Sequence, residues 1–218
     1  MRRARALAAL VVLVATCGGD ASRADPRRSV VAIEATGCRP FSANAVGTVI
    51  GDGLVVTVAH AVAGEDEVTV RTADGSVLSA VVASIDTGLD AAVLRLDELD
   101  VEPVDVGSYD DGGVDLLGVE DGAVVSRTVA VRRPVTIRTT DIYRRGEHLR
   151  DGLEVAVGIR SGDSGGGLVD GDGRLVGMVW AASRRADDRT WAITAESFDG
   201  LIAAAAARQP VPAVKCSR

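Results

Sequence analysis

Hydrophobic and polar positions alternate in short runs along most of this chain, the period of a half-buried strand rather than of a helix. Such runs cover 29–34, 44–50, 54–58, 68–71, 77–85 and 91–96. The turn Gly51-Asp52-Gly53 separates the second from the third, and Ala73-Asp74-Gly75-Ser76 makes a hairpin turn into the fifth. A second group covers 114–119, 123–139, 153–157, 166–169, 174–181 and 190–194. Residues 98–113 between the groups are acidic, contain Pro103 and three glycines, and read as a connection. The pattern changes only after 194: residues 195–208 are alanine-rich, with a five-alanine run of high helix propensity. Two groups of about six strands and a short C-terminal helix are therefore expected, with no internal repeat and no room for an appended PDZ-type domain.

Composition sharpens this picture in two ways. The 218 residues are 47% hydrophobic but include only two Trp, two Tyr and two Phe, so the core must come from Val, Ala, Leu and Ile. Abundant valine and frequent glycine favour strands and turns over helices. Net charge is −7, and would be about −10 without the arginines before residue 6. A surface of that sign argues against nucleic acid, which needs a basic footprint; it otherwise bears on solubility and not on fold.

The N-terminus has the layout of an export signal. Arg2, Arg3 and Arg5 precede an apolar stretch at 6–15, which as a helix spans only ~15 Å against a hydrocarbon core of ~30 Å. Residues 1–24 therefore read as a signal peptide and not as a permanent span. Two cleavage sites compete. Leu13-Val14-Ala15-Thr16-Cys17 resembles a bacterial lipobox that would leave a lipidated Cys17, although Thr16 stands where Gly, Ala or Ser is usual. Ser22-Arg23-Ala24 before Asp25 suits ordinary signal peptidase and would release a soluble product. Either route places the mature chain outside the cytoplasm, in the medium or the cell envelope, with Cys17 as its one route to a membrane.

Cysteine parity agrees with export. Either cleavage removes or modifies Cys17 and leaves Cys38 and Cys216, which an oxidising compartment would pair. That bridge would close a loop of nearly the whole domain.

Three short motifs carry candidate chemistry. Thr57-Val58-Ala59-His60-Ala61 puts a histidine at a strand end, Leu89-Asp90 puts a carboxylate before an apolar run, and Ser161-Gly162-Asp163-Ser164-Gly165-Gly166-Gly167 puts a serine in a glycine-cradled turn. A serine hydroxyl needs a neighbouring base to become a useful nucleophile. Each motif alone has a bland reading as a turn or strand-end residue. Together they occur once, in the order His, Asp, Ser used by chymotrypsin-type enzymes and not by α/β-hydrolases or subtilisins.

On these motifs the chain resembles the trypsin-like (chymotrypsin-fold) serine peptidases, in particular compact bacterial ones. The resemblance implies an all-β fold of two six-stranded antiparallel barrels, about 29–97 and 114–194, within a peptidase domain over 25–218, acting as a monomer without metal or cofactor. It implies that Ser164 attacks, that His60 takes and returns its proton, and that Asp90 orients the imidazole. The N–H groups of Gly162 and Ser164 match the oxyanion-hole positions. Gly165 and Gly166 suit the tight turn, and Gly167 reads as a hairpin glycine where the family commonly has Pro or Ala. No activation sequence stands before Val30, so Asp163 is expected to cap local N–H groups. Gly158 matches the pocket-base position and, with Val179, Trp180, Ala181 and Ala182 as wall, implies a small or apolar side chain before the scissile bond of a protein or peptide substrate. Trp180 stands where the family has a small residue near the catalytic carboxylate, and would narrow the cleft or disturb the support of Asp90. His148 reads as an exposed loop residue. The competing reading, motivated by Trp180 and Gly167, is a catalytically silent barrel used as a binding module.

Overall fold

The structure, a computed structural model, describes residues 25–217. The export signal, both cleavage sites and Cys17 lie outside the described residues. After a 3-10 turn at Pro26–Ser29, the first strand group is β1 (Val30–Thr36), β2 (Ala43–Gly51), β3 (Leu54–Thr57), β4 (Glu67–Arg71), β5 (Val77–Asp86) and β6 (Ala91–Arg95). They pair antiparallel in the order β1-β2-β3-β6-β5-β4 and close into a barrel through the β1–β4 ladder. Alternate residues such as Val31, Ile33, Val68 and Val70 point inward and meet Val55 and Leu94, so the core is aliphatic as the composition requires. A four-residue helix, α1 (Ala59–Val62), follows β3 directly and lies within the same core.

The second group contains β7 (Val114–Glu120), β8 (Ala123–Val129), β9 (Val131–Thr139), β10 (His148–Val155), β11 (Gly167–Asp170), β12 (Leu175–Ala182) and β13 (Thr190–Thr194). Their order is β8-β7-β11-β12-β13-β10-β9, a seven-stranded sheet where the resemblance implied six strands. The extra strand arises because the single run 123–139 is interrupted at Ala130, whose carbonyl accepts from the Ala156 N–H (2.8 Å). Its two halves, β8 and β9, take opposite ends of the order, so the sheet's edges are covalently continuous through one residue. Leu116, Leu153, Leu168, Val176, Val179 and Ala192 pack together as the core of this half.

Val30 and Val46 of the barrel pack with Leu117 and Val169 of the second sheet, forming an apolar seam between the two halves. The connection is also fixed: Val104 N–H donates to Val49 O (3.0 Å) and Leu175 N–H to Asp105 O (2.8 Å). The alanine-rich segment begins as a 3-10 turn at Ala195–Phe198 and becomes α2 (Asp199–Ala206), which lies on β5 and β6. Cys38 and Cys216 are joined as a disulfide across 178 positions of sequence, with their Cα atoms 5.7 Å apart.

Candidate active site

His60 enters the site because β3 ends at Thr57 and the chain turns at once into α1. Thr57 is fully buried and its hydroxyl donates to Val46 O (2.8 Å), which ties the end of β3 to β2. Asp90 comes from the turn between β5 and β6, where its own backbone is left-handed (φ 64°), a conformation Asp tolerates better than most residues. The turn is laced together by Asp86, whose carboxylate accepts from the N–H groups of Gly88 (2.8 Å) and Leu89 (2.9 Å).

The two motifs meet. His60 Nδ1 lies 2.9 Å and 3.1 Å from the two carboxylate oxygens of Asp90. The His60 backbone N–H donates to Oδ1 as well (2.8 Å), and Ala59 N–H donates to the Asp90 carbonyl (3.2 Å). Asp90 is 6% exposed at its side chain and His60 34%, so the carboxylate is sheltered while the imidazole is partly open to solvent. A carboxylate on Nδ1 fixes the tautomer with Nδ1 protonated and leaves Nε2 as the free acceptor.

Ser164 is half-buried at the seam between the two halves. Its carbonyl accepts from Val46 N–H of β2 (2.8 Å), while the next N–H, of Gly165, donates to Val179 O of β12 (2.8 Å). The serine is thus clamped between barrel and sheet. Gly165 explains why the clamp can be so tight: its φ is +90°, and a Cβ there would lie 1.9 Å from Val46 O and 3.0 Å from Thr57 Oγ1. The same Thr57 that ends β3 three residues before His60 therefore abuts the residue after Ser164.

Upstream, Asp163 N–H donates to Arg160 O (3.1 Å), closing a turn whose third residue, Gly162, has φ +99°. That is the position where a type II turn demands positive φ. Among the described residues neither the Gly162 nor the Ser164 N–H donates to a protein acceptor, so both are available to an oxyanion. The Asp163 side chain accepts from Arg160 N–H (2.8 Å), the local cap expected of it. Arg127 of β8 adds a cation 3.7 Å from its Oδ2, a partner that no local pattern distinguishes among the many arginines.

The expected pocket residues divide. Gly158 and Ala182 are exposed and Ala181 is half-buried, and a Cβ at Gly158 would lie 2.4 Å from Asp187 O. The Val179 side chain is fully buried among Leu153, Leu168 and Ala192, so it contributes its backbone and not a wall. Gly167 is a strand residue of β11 opposite Met178 and not a hairpin glycine; a Cβ there would lie 2.7 Å from Thr48 Oγ1. His148 opens β10 and is half-buried, its ring against Gly88 beneath the Asp90 turn, and is not a free loop residue.

Trp180 neither hangs free in the cleft nor dislodges Asp90. Its ring stacks on the guanidinium of Arg150, 4.2 Å from ring centroid to Cζ. Arg150 is almost wholly buried; Nε donates to Gly88 O (2.8 Å), Nη2 to Thr140 O (3.0 Å), and Nη1 stands 3.8 Å from Asp90 Oδ2. Burial pushes its pKa down, against the opposing pull of Asp90, Asp86 and Asp141. Nothing in the sequence around Arg150 marks it as buried, because a charged residue in a polar stretch is ordinarily solvent-facing.

This fold and this site together define a class. The trypsin-like peptidase domain family matches residues 45–178, a stretch from β2 to β12 that contains His60, Asp90 and Ser164, and the chain belongs to that family. Among characterised relatives, Serine protease Rv3671c of Mycobacterium tuberculosis is 32% identical over 179 residues, covering 78% of this chain and 44% of that protein. Serine protease HTRA2, mitochondrial, of Bos taurus is 32% identical over 171 residues, covering 69% and 35%. The chain thus spans less than half the length of these relatives. Among solved structures, the active form of the Rv3671c protease superposes with a TM-score of 0.81 at 30% identity, covering 88% of this chain and 87% of that one. The inactive form of the same protease gives 0.71 at 29% identity, covering 82% and 89%.

Proposed function

We propose that this chain is an exported serine endopeptidase that hydrolyses peptide bonds through Ser164, His60 and Asp90. The observation that carries the reading is the His60–Asp90 pair, held by three contacts from the imidazole and backbone to one sheltered carboxylate. In the proposed cycle His60 Nε2 takes the Ser164 proton as Oγ attacks the substrate carbonyl carbon. The Gly162 and Ser164 N–H groups hold the resulting oxyanion, each such donor being worth ~10²–10³ in turnover. The tetrahedral species collapses to an acyl-enzyme and expels the amine, which takes its proton from His60. Water, deprotonated by the same imidazole, then attacks the acyl-enzyme and frees the acid. Asp90 keeps Nδ1 protonated and stabilises the imidazolium throughout.

The greater likeness to the active than to the inactive form of Rv3671c supports this reading, as does the undonated pair of N–H groups. The silent-barrel alternative loses its motives, because Trp180 is engaged by Arg150 and Gly167 is accounted for by packing against Thr48. Glycine at 158 puts no acidic side chain at the expected pocket base, which favours a small or apolar residue before the scissile bond over a basic one. The Cys38–Cys216 bridge supports export.

The direct test is labelling of the purified mature protein with a fluorophosphonate probe. Wild type is expected to incorporate one equivalent, and Ser164→Ala none. Equal labelling of the two, or none of either, would remove the enzyme from the proposal.

A further inference from the structure

From the geometry behind Asp90 we infer that Arg150, covered by Trp180, is a positioning residue for the triad: it props the Asp90 turn and sets the pH range over which His60 can serve as base. The inference rests on the triad reading above.

The placement is specific. Arg150 lies on β10, in the second sheet, yet its Nε donates to Gly88 O, two residues before Asp90 in the barrel's β5–β6 turn. Its Nη2 reaches Thr140 O in the loop after β9. One guanidinium therefore joins the Asp90 turn to two parts of the other sheet. The third arm is different: Nη1 is buried, makes no hydrogen bond among the described residues, and lies 3.8 Å from Asp90 Oδ2. Too long for a hydrogen bond, that separation leaves a fixed charge acting on the carboxylate through space. Trp180 covers it at 4.2 Å and keeps water from screening it.

A buried cation at that distance must act on the His60–Asp90 pair. It favours ionised Asp90 and disfavours the imidazolium, so it extends toward acid the range in which Nε2 is free to accept the serine proton. The charged groups facing the guanidinium are Asp90 and Asp86 on the turn and Asp141 on the loop after β9. His148, on the same strand as Arg150, touches the turn at Gly88, and His60 lies across the carboxylate. Asp86 is already committed to the N–H groups of Gly88 and Leu89, and Asp141 to those of Tyr143 and Arg145. Asp90 is the carboxylate to which Arg150's unpaired arm is nearest.

The experiment measures the fluorophosphonate labelling rate of Ser164 against pH in wild type, Arg150→Met, Arg150→Lys and Trp180→Ala. In parallel, the His60 ring is titrated by NMR in each with Ser164→Ala added, its signals told from those of His148 by a His148→Gln control. Arg150→Met keeps the stem and loses the charge. Its acid limb and its ring midpoint should both move to higher pH by about 1 unit, the low end of what a neighbouring charge produces. Arg150→Lys should return the limb to near the wild-type position even if its plateau rate stays several-fold low. Trp180→Ala, which lets water screen the cation, should move both readouts in the same direction as Arg150→Met by a smaller amount, and it serves if Arg150→Met does not fold. A lowered plateau with limb and midpoint unmoved in both variants would mean that Arg150 only braces the fold, and the inference falls. Should wild type fail to label while the ring midpoint still follows Arg150, the triad reading fails and the coupling stands.

Discussion

At the residue scale, the glycines around Ser164 separate two costs that are often merged. At Gly165 a Cβ meets the Val46 carbonyl at 1.9 Å, and backbone cannot yield as the tip of a side chain can. At Gly162 the backbone is equally left-handed, but nothing lies within 4 Å of the Cβ position. Gly165→Ala therefore combines conformational strain with a steric clash and should cost about 3–4 kcal/mol in unfolding experiments. Gly162→Ala carries the conformational term alone, about 1–2 kcal/mol. Their effects on activity should be ordered differently relative to their stability costs. Gly162→Ala should slow labelling of Ser164 ten-fold or more in a protein that remains folded, because relaxing its φ turns away the N–H proposed to hold the oxyanion. Equal stabilities for the two variants, from denaturant titration, would contradict this separation.

At the element scale, the β11–β12 hairpin follows the Ser164 turn and is held by one carboxylate. Asp170 accepts from the N–H groups of Asp172 (2.8 Å) and Arg174 (2.9 Å) and pairs with the Arg174 guanidinium at 2.7–2.8 Å, while its side chain is only 6% exposed. Burial alone would raise its pKa, but these donors more than offset it and hold the carboxyl below the ordinary carboxylate range. A depressed folded-state value means the stabilisation is present above pH ~4, the unfolded value, and is lost as pH falls through the folded one. Asp170→Asn should thus be less stable than wild type by about 1–2 kcal/mol at pH 7. In urea titrations the gap should narrow steadily below pH ~4; a gap independent of pH would show that the carboxylate charge is not what holds the hairpin. This turn falls in the gap between the expected strands 166–169 and 174–181, and like most strands of the barrel those were legible from alternation. The start of β10 was not. There Leu149 faces solvent, Arg150 faces inward and Asp151 faces out, so hydropathy runs opposite to burial. Strand β10 was accordingly expected to begin at 153, and its buried arginine was invisible. The helix α1 escaped for a related reason: four residues are too few for a 3.6-residue period to register. The His60, Asp90 and Ser164 motifs stand out in the sequence because glycine-rich turns and strand ends have local signatures. What props them from across the fold has none.

At the scale of the whole molecule, the chain's end returns to brace the barrel that carries His60. The tail runs along the outside and lays Lys215 and Cys216 on Gly64, two residues past α1, where a Cβ would lie 2.6 Å from the Cys216 nitrogen. Tyr143, in the loop between β9 and β10, fastens the tail from the other half: its hydroxyl donates to Lys215 O (2.7 Å) and accepts from Lys215 N–H (3.1 Å). The disulfide then ties this junction to the β1–β2 loop, where Glu65 already accepts from Cys38 N–H (2.8 Å) and Arg39 Nε (2.6 Å). Residues 206–213 are exposed, so without the covalent link the contacts at 214–217 would be offset by the entropy of ordering about ten residues. The bridge spans 178 positions, and loop-closure entropy for a ring that long is of order 5 kcal/mol, a ceiling that strain and residual unfolded structure reduce. Cys38→Ser and Cys216→Ser should each lose roughly 2–5 kcal/mol, and the double variant no more than either alone, because all three remove the same cross-link. Reductant should bring wild type to the same urea midpoint as the variants and leave theirs unchanged. Additive losses in the double variant would instead show that each cysteine contributes through its own packing, and that the tail holds the barrel without the bond.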